Sequence, residues 1–105
     1  MLTPTVVLAA GTAAGTSGNI EVASNRLRNV TVRVFGEALT GADVIPIQYL
    51  DSSGTWIPYT VIRETNTAIT AQLALGNSAF VLSETGVYRA VKGLTATATG
   101  VEVIA

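Results

Sequence analysis

The chain of 105 residues contains no cysteine and no histidine. Without cysteine it forms no disulfide and offers no thiolate. Without either residue, the common nucleophile–base pairs and most transition-metal sites are excluded. Carboxylates are present, but they lie in no recognisable catalytic motif, and Asp51-Ser52-Ser53-Gly54 lacks the further acidic ligands of a calcium loop. We therefore expect no catalytic residue, no cofactor, no metal site and no enzymatic activity.

Charge is also scarce. Charged residues make up 12% of the chain and the net charge is −1, whereas an ordinary soluble domain carries about 25% charged residues. Hydrophobic residues make up 49%, and the mean hydropathy is +0.48. This composition predicts a protein packed against neighbouring subunits, and we expect a homo-oligomer, with dimer and trimer equally consistent. A threonine-rich monomer is the alternative.

The sequence shows no long apolar run and no basic cluster, and we expect no signal peptide. No apolar stretch approaches the roughly 18 residues that a membrane span needs, and the segment Val6–Ala10 is too short for a signal sequence. The six basic residues are scattered, so the electrostatic footprint of nucleic-acid binding is missing. We expect neither a membrane nor a nucleic acid as partner.

In several segments of the sequence, apolar residues recur at every second position. Val30, Val32 and Val34 alternate with polar residues and predict a strand over 27–35, and similar alternation recurs around 45–49, 69–75 and 101–103. Glycine, asparagine and aspartate turns separate these runs. This pattern predicts an all-β fold, namely an immunoglobulin-like or jelly-roll-like antiparallel β-sandwich.

The first 19 residues differ from the rest. Residues 11–19 are rich in glycine, threonine and serine, which is typical of a flexible segment, and they follow the short apolar run Val6-Val7-Leu8. We divide the chain into a short strand with a flexible arm (1–19) and a sandwich domain (20–105). The N-terminal part is either a first strand with a long loop or an arm that adds a strand to a neighbouring subunit.

Two prolines and two aromatic residues raise specific questions. Proline removes a ladder donor, so Pro46 predicts either a sheet edge or a bulge, and Pro58 raises the same question for the strand near 56–62. Trp56 is either a lid on the core or an interface anchor, because aromatic side chains dominate interface hot spots. We name Trp56 and Tyr59 as candidate partner contacts.

The segment Glu84–Val91 resembles the entry to the F strand of immunoglobulin-like domains. An acidic residue and a small residue precede Tyr88, and Ala90 stands where antibody domains carry cysteine. The resemblance implies that the Tyr88 hydroxyl bonds back to the backbone at a corner between strands. Trp56 falls too late in the chain to match the tryptophan of strand C.

The chain as a whole resembles small bacteriophage virion proteins. The resemblance runs through the β entry at Val6–Asn19, the strand at Val30–Phe35, the hairpin at Ile47–Trp56 and the ending at Gly86–Val103. In that group, β-sandwich proteins decorate or cement the head shell, or occur in the tail.

This resemblance implies a function in assembly. The expected role is capsid decoration, in which many copies bridge subunits of the major capsid protein on the outer surface of a virion made in the host cytoplasm. The expected contact residues are Leu2, Thr3, Pro4, Val6, Leu8, Trp56 and Tyr59. Two alternatives stay open, namely a tail or neck subunit and a module that binds a host-surface glycan or receptor.

Overall fold

The computed structural model describes residues 4–23, 30–62 and 68–104. These residues form strands and turns without a helix, so none of them forms a helix that is long and apolar enough to cross a membrane. The strands are β1 (Pro4–Gly11), β2 (Gly15–Thr16), β3 (Ile20–Val22), β4 (Val30–Gly36), β5 (Val44–Leu50), β6 (Trp56–Pro58), β7 (Thr60–Ile62), β8 (Ala68–Thr70), β9 (Gln72–Ala74), β10 (Ala79–Leu82), β11 (Gly86–Lys92) and β12 (Thr99–Ile104).

The strands make two antiparallel sheets that pack face to face, which confirms the predicted all-β sandwich. The first sheet has the order β1-β12-β4-β10. In the second sheet, β11 pairs with β2 and β3 on one side and with β5 on the other, and β5 then pairs with β6 and β9. A short hairpin, β7–β8, stands apart from both sheets.

The pairing is nested along the chain. The first strand pairs with the last, β2 and β3 with β11, β4 with β10, and β5 with β6 and β9. This is the arrangement of a long antiparallel ribbon folded over into two sheets, and it is the strand order of a jelly roll. In immunoglobulin domains the last two strands share a sheet, whereas here β11 and β12 lie in different sheets. Of the two topologies that the sequence left open, the structure has the jelly roll.

The core lies between the sheets and consists of alternate residues of each strand. In β4 and β5 the inward positions are Val30, Val32, Ile45 and Ile47, as the alternation in the sequence predicted. The strand predicted over 69–75 is divided at Ala71 and ends at Ala74. The buried hydrophobic residues are Ile20, Val22, Val30, Val32, Leu39, Ile45, Ile47, Tyr59, Ala71, Leu73, Leu82, Tyr88, Ala90 and Val101.

Three backbone hydrogen bonds form a three-way junction at the point where the β7–β8 hairpin leaves the second sheet. The Ile47 amide donates to the Ala71 carbonyl (2.9 Å), the Ala71 amide to the Tyr59 carbonyl (2.8 Å), and the Tyr59 amide to the Ile47 carbonyl (3.0 Å). Because each residue donates to one neighbour and accepts from the other, all three stay satisfied while the chain leaves β5 after β6 and returns to it as β9.

Pro46 lies inside β5 at the point where one ladder ends. Ile47 directs its amide and its carbonyl toward Ala71 and Tyr59, so the preceding residue faces the opposite side, toward β11. The register between β5 and β11 begins at Ile47, opposite Ala90. The position where Pro46 lacks an amide hydrogen therefore faces the side on which β5 is locally an edge. This agrees with the expectation that Pro46 lies at a sheet edge.

The N-terminal residues are built into both sheets. Strand β1 pairs with β12 of the same chain, with bulges between Val6 and Leu8 and between Leu8 and Gly11. Further on, Ser17 exchanges two hydrogen bonds with Ala90, because its amide donates to the Ala90 carbonyl and its hydroxyl accepts from the Ala90 amide, both at 2.8 Å. Residues 4–17 therefore contribute β1, a loop and β2 to this chain's own sandwich.

Candidate functional site

Several loops meet at one end of the sandwich, which we call the loop end. Its loops are residues 12–14, 37–43, 75–78 and 93–98. Strand pairing gathers them there, because Thr99 lies opposite both Gly11 and Gly36. The amide of Thr95 also donates to the carbonyl of Thr12 at 3.0 Å, which joins two of the loops directly.

Polar side chains hold these loops in place. Glu37 and Asp43 each accept a hydrogen bond from a backbone amide of the loop 93–98, at 3.0 and 2.9 Å. In return, the Thr97 hydroxyl donates to the carbonyl of Ala38 at 2.7 Å. Bonds to a charged acceptor are stronger than bonds between neutral groups, so this loop has a defined shape although its one large apolar side chain, Leu94, is exposed.

Lys92 ties the two sheets together beneath the loops. Its side chain leaves β11 in the second sheet and its Nζ donates to the carbonyls of Gly11 and Thr99, which lie opposite each other in the first sheet. The side chain is 3% exposed. A buried ammonium needs hydrogen-bond acceptors, and both of these acceptors are backbone carbonyls.

Large apolar side chains project from the loop end. Leu94 is 80% exposed and Leu75 is 65% exposed, the largest values among the exposed large hydrophobic residues of the described chain. Leu75 directly follows Ala74, which lies opposite Val44. Leu94 lies two residues before Ala96, whose amide is bound to Asp43 next to Val44. Both leucines therefore flank the start of β5, and Val44 itself is partly exposed.

The opposite end of the sandwich, which we call the tyrosine end, is built from aromatic rings. Tyr59 lies edge-to-face against Tyr88 (ring centroids 5.1 Å apart), Tyr49 (5.9 Å) and Phe80 (6.3 Å). Such pairs add about 0.5–1.5 kcal/mol beyond the burial of their area. Tyr59 follows the β6 strand at the three-way junction, so the branch in the backbone and the centre of the ring cluster coincide.

Glu84 binds two of these tyrosines. The Tyr59 hydroxyl donates to Glu84 Oε1 at 2.9 Å, and the Tyr88 hydroxyl donates to the Glu84 carbonyl at 2.8 Å. The second bond is the corner contact that the resemblance at 84–91 implied. Burial raises the pKa of Tyr59 well above its ordinary value, and the bond to Glu84 raises it further. Burial also raises the pKa of Tyr88.

A pocket of about 570 Å³ opens beside this cluster. Its wall includes Tyr49, Ile57, Tyr59, Glu84 and Asp51. The side chain of Asp51 closes the adjacent hairpin turn: hydrogen bonds from the Ser53 hydroxyl and from the Thr55 amide lower the pKa of Asp51. The described residues contain no group of three side chains placed to hold a metal ion.

Trp56 lies on the outer face of the second sheet, outside the core. It is half-buried opposite Leu50, and the Arg89 guanidinium carbon stands 4.3 Å from the centre of a Trp56 ring. Arg89 Nε also donates to Gln48 Oε1 at 2.8 Å. The guanidinium covers one face of the indole, so Trp56 is a stacking partner for Arg89 and not a lid on the core.

The other predicted contact residues are scattered over the molecule. Leu2 and Thr3 lie outside the described residues. Pro4 and Val6 are exposed on β1, and Leu8 is half-buried against the core. Tyr59 requires a correction, because it is 7% exposed and lies at the centre of the ring cluster, so we assign it to the core and no longer to the contact residues.

Sequence reasoning missed the two leucines of the loop end. The alternation at 69, 71, 73 and 75 placed Leu75 on a strand, whereas the chain turns after Ala74 and exposes it. Leu94 stands alone in a run of glycine, threonine and alanine. An isolated leucine inside such a loop is the one signal that could have found it, because the loop offers no apolar neighbours in sequence to bury it.

Comparisons with family models, with curated proteins and with solved structures found no match for this chain.

Proposed function

We propose that this chain is a structural subunit that binds other proteins through its loop end. The observation that carries the proposal is the pair Leu75 and Leu94, which are exposed on loops held by side-chain hydrogen bonds. The Asn77 side-chain amide donates to the Gln72 carbonyl beside Leu75, and Asp43 accepts from the Ala96 amide beside Leu94. Because the loops are already held in one shape, they lose less conformational entropy when a partner binds. Exposed leucines on a pre-shaped surface are suited to burial in a partner's apolar pocket.

The partner that we propose is the major capsid protein of a bacteriophage head, with the chain decorating and cementing the shell. Support comes from the resemblance described for the sequence, from the low charge and from the jelly-roll topology, which recurs in viral capsid domains. The topology alone specifies no function, because one fold hosts many. The surface chemistry and the sequence resemblance are therefore what supports this proposal.

Immunogold labelling of intact phage particles from the source of this sequence tests the assembly. Antibody raised against the purified chain should place gold over the heads. Gold on the tail or neck would transfer the proposal to that alternative, and particles without gold would overturn the virion proposal.

Rebinding of purified protein to shells that lack it tests the surface. The double variant L75S/L94S should lose binding while its unfolding free energy stays within about 0.5 kcal/mol of wild type, as expected for exposed positions. Val6→Ser, on the β1 strand that the sequence analysis favoured, is the matched control. Loss of binding in Val6→Ser and not in the double variant would overturn the loop-end assignment and support the N-terminal contact.

A glycan-binding module is the second candidate, and the pocket at the tyrosine end is the observation that favours it. Carboxylates of Glu84 and Asp51 stand near its tyrosine rings. Tyr59 and Tyr88 are buried edge-to-face against each other, however, so neither presents a ring face for a sugar to stack on. Binding to a glycan array that is abolished by Glu84→Gln would favour this candidate over the first.

A further inference from the structure

The outer edge of β10 differs from the other edges of the two main sheets. Strand β1 carries two bulges and Pro4, and β6 ends in Pro58. The outward side of β9 is covered by Asn77 of the following turn, which bonds to the backbone of Ala74 and of Gln72. The β2–β3 edge is interrupted between Thr16 and Ile20. Bulges, prolines and short strands are the devices that keep sheet edges from pairing with other chains. Within the described residues, β10 (Ala79-Phe80-Val81-Leu82) has none of these devices except its modest length, and it carries no charge.

The register shows which backbone groups of β10 face outward. The Val34 amide donates to the Ser78 carbonyl at 2.9 Å, and Phe80 lies opposite Val32. Antiparallel ladders alternate between bonded and non-bonded pairs. Residues 78, 80 and 82 therefore direct their amides and carbonyls toward β4. Ala79 and Val81 direct theirs toward the open edge.

This edge is complementary to itself under a two-fold axis. An antiparallel copy centred on Val81 places Val81 opposite Val81 of the partner subunit as a bonded pair, and places Ala79 opposite Ser83 of the partner subunit in the next one. The Val81 side chain is 51% exposed, so the two valines would meet on the outer face of the joined sheet. With a net charge of −1 for the whole chain, little repulsion opposes the approach.

We propose that two copies of this chain pair through β10, joining their first sheets into one continuous antiparallel sheet. The edge is short, so the buried area falls at the low end for specific interfaces, below about 1,200 Å². The dimer is therefore weak and concentration-dependent in solution. This inference concerns a surface other than the loop end and does not depend on the proposed shell.

Sedimentation velocity over a concentration series tests the pairing with a charge-swap design. V81K and V81E each place like charges directly opposite across the two-fold axis, and each should raise the dissociation constant by about tenfold or more. An equimolar mixture of V81K and V81E should associate at least as well as wild type. Thr16→Lys adds the same charge to an exposed residue at the edge of the second sheet, and it should sediment as wild type does.

The outcomes that overturn the inference are a wild-type chain that stays monomeric over the whole series, and a V81K chain that associates as wild type does. Val81→Pro is a second probe, because it removes the outward amide and leaves the ladder with β4 intact. Circular dichroism of each variant separates loss of pairing from loss of folding. If Val81→Pro does not fold, the charge-swap mixture still decides the question, since both of its members change only an exposed side chain.

Discussion

The two ends of the sandwich are held together by different chemistry. At the loop end, Lys92 and Thr97 donate hydrogen bonds to backbone carbonyls, and the carboxylates of Glu37 and Asp43 accept hydrogen bonds from backbone amides. This end leaves Leu75 and Leu94 in solvent. The tyrosine end packs aromatic rings around Tyr59, and Glu84 accepts hydrogen bonds from the hydroxyls of Tyr59 and Tyr88. Polar bonding therefore shapes the surface that we assign to a partner, whereas aromatic burial stabilises the opposite end of the fold.

This difference predicts unequal sensitivity to mutation. At the tyrosine end, truncating a ring removes buried area and leaves a cavity. At the loop end, removing a polar side chain leaves backbone groups without partners, which costs less for each group.

The largest effect is expected for Tyr59→Ala. The change removes the ring that contacts Tyr49, Phe80 and Tyr88, and large aromatic truncations in cores cost about 3–5 kcal/mol. Urea denaturation followed by circular dichroism measures the loss. A loss below about 1 kcal/mol would mean that the ring cluster does not stabilise this end.

The control Tyr59→Phe keeps the ring and removes the ionisable hydroxyl. Since the fold raises the pKa of Tyr59, the stability linked to its protonated form is complete below the ordinary pKa of about 10 and declines as the pH rises above it. Wild type should therefore lose stability above about pH 10 more steeply than Tyr59→Phe does. Equal slopes for the two proteins would contradict the burial of this hydroxyl.

An intermediate effect is expected for Lys92→Met at the loop end. Methionine keeps the length of the side chain but removes the ammonium group that donates to the carbonyls of Gly11 and Thr99. Hydrogen bonds to charged groups contribute about 1.5–3 kcal/mol, so we expect a loss in that range by urea denaturation. Lys92→Arg, which keeps the charge, is the comparison. A methionine variant as stable as wild type would show that the clamp between the sheets contributes nothing.

The smallest effect is expected for Tyr88→Phe. The ring stays in the cluster, and the bond to the Glu84 carbonyl is lost, which costs about 1 kcal/mol. Binding to a partner at the loop end should be unchanged. A melting curve identical to that of wild type would remove the corner role from Tyr88.

Much of the fold could be predicted from the alternation of apolar and polar residues in the sequence. Alternation at Val30 and Val32 and at Ile45 and Ile47 indicated strands whose inward residues are indeed buried. Nothing local indicated that Pro4 would lie opposite Ile104, or that β11 and β12 would separate into different sheets. Those features depend on pairing between distant segments, and a period of two is the same in either sandwich topology.

The candidate site was harder to predict than the fold. Tyr59 looked like a contact residue because aromatic side chains dominate interface hot spots, but the branch in the backbone turns its ring inward. Leu75 looked buried because it continued an alternation that the chain breaks after Ala74. In both cases a turn or a branch, which depends on tertiary pairing, reversed the direction of a side chain.

The pairing of β1 with β12 also bears on how the protein is made. During synthesis β12 leaves the ribosome after β1 to β11, so β1 has no β12 to pair with until then. Proteins dominated by such distant contacts fold slowly, because closing a long loop costs entropy before any contact forms. Until that moment β1 and the apolar face of the first sheet are exposed to association with other chains. Pro4, which has no amide to donate, weakens pairing of β1 with other chains at one end of the strand during this interval.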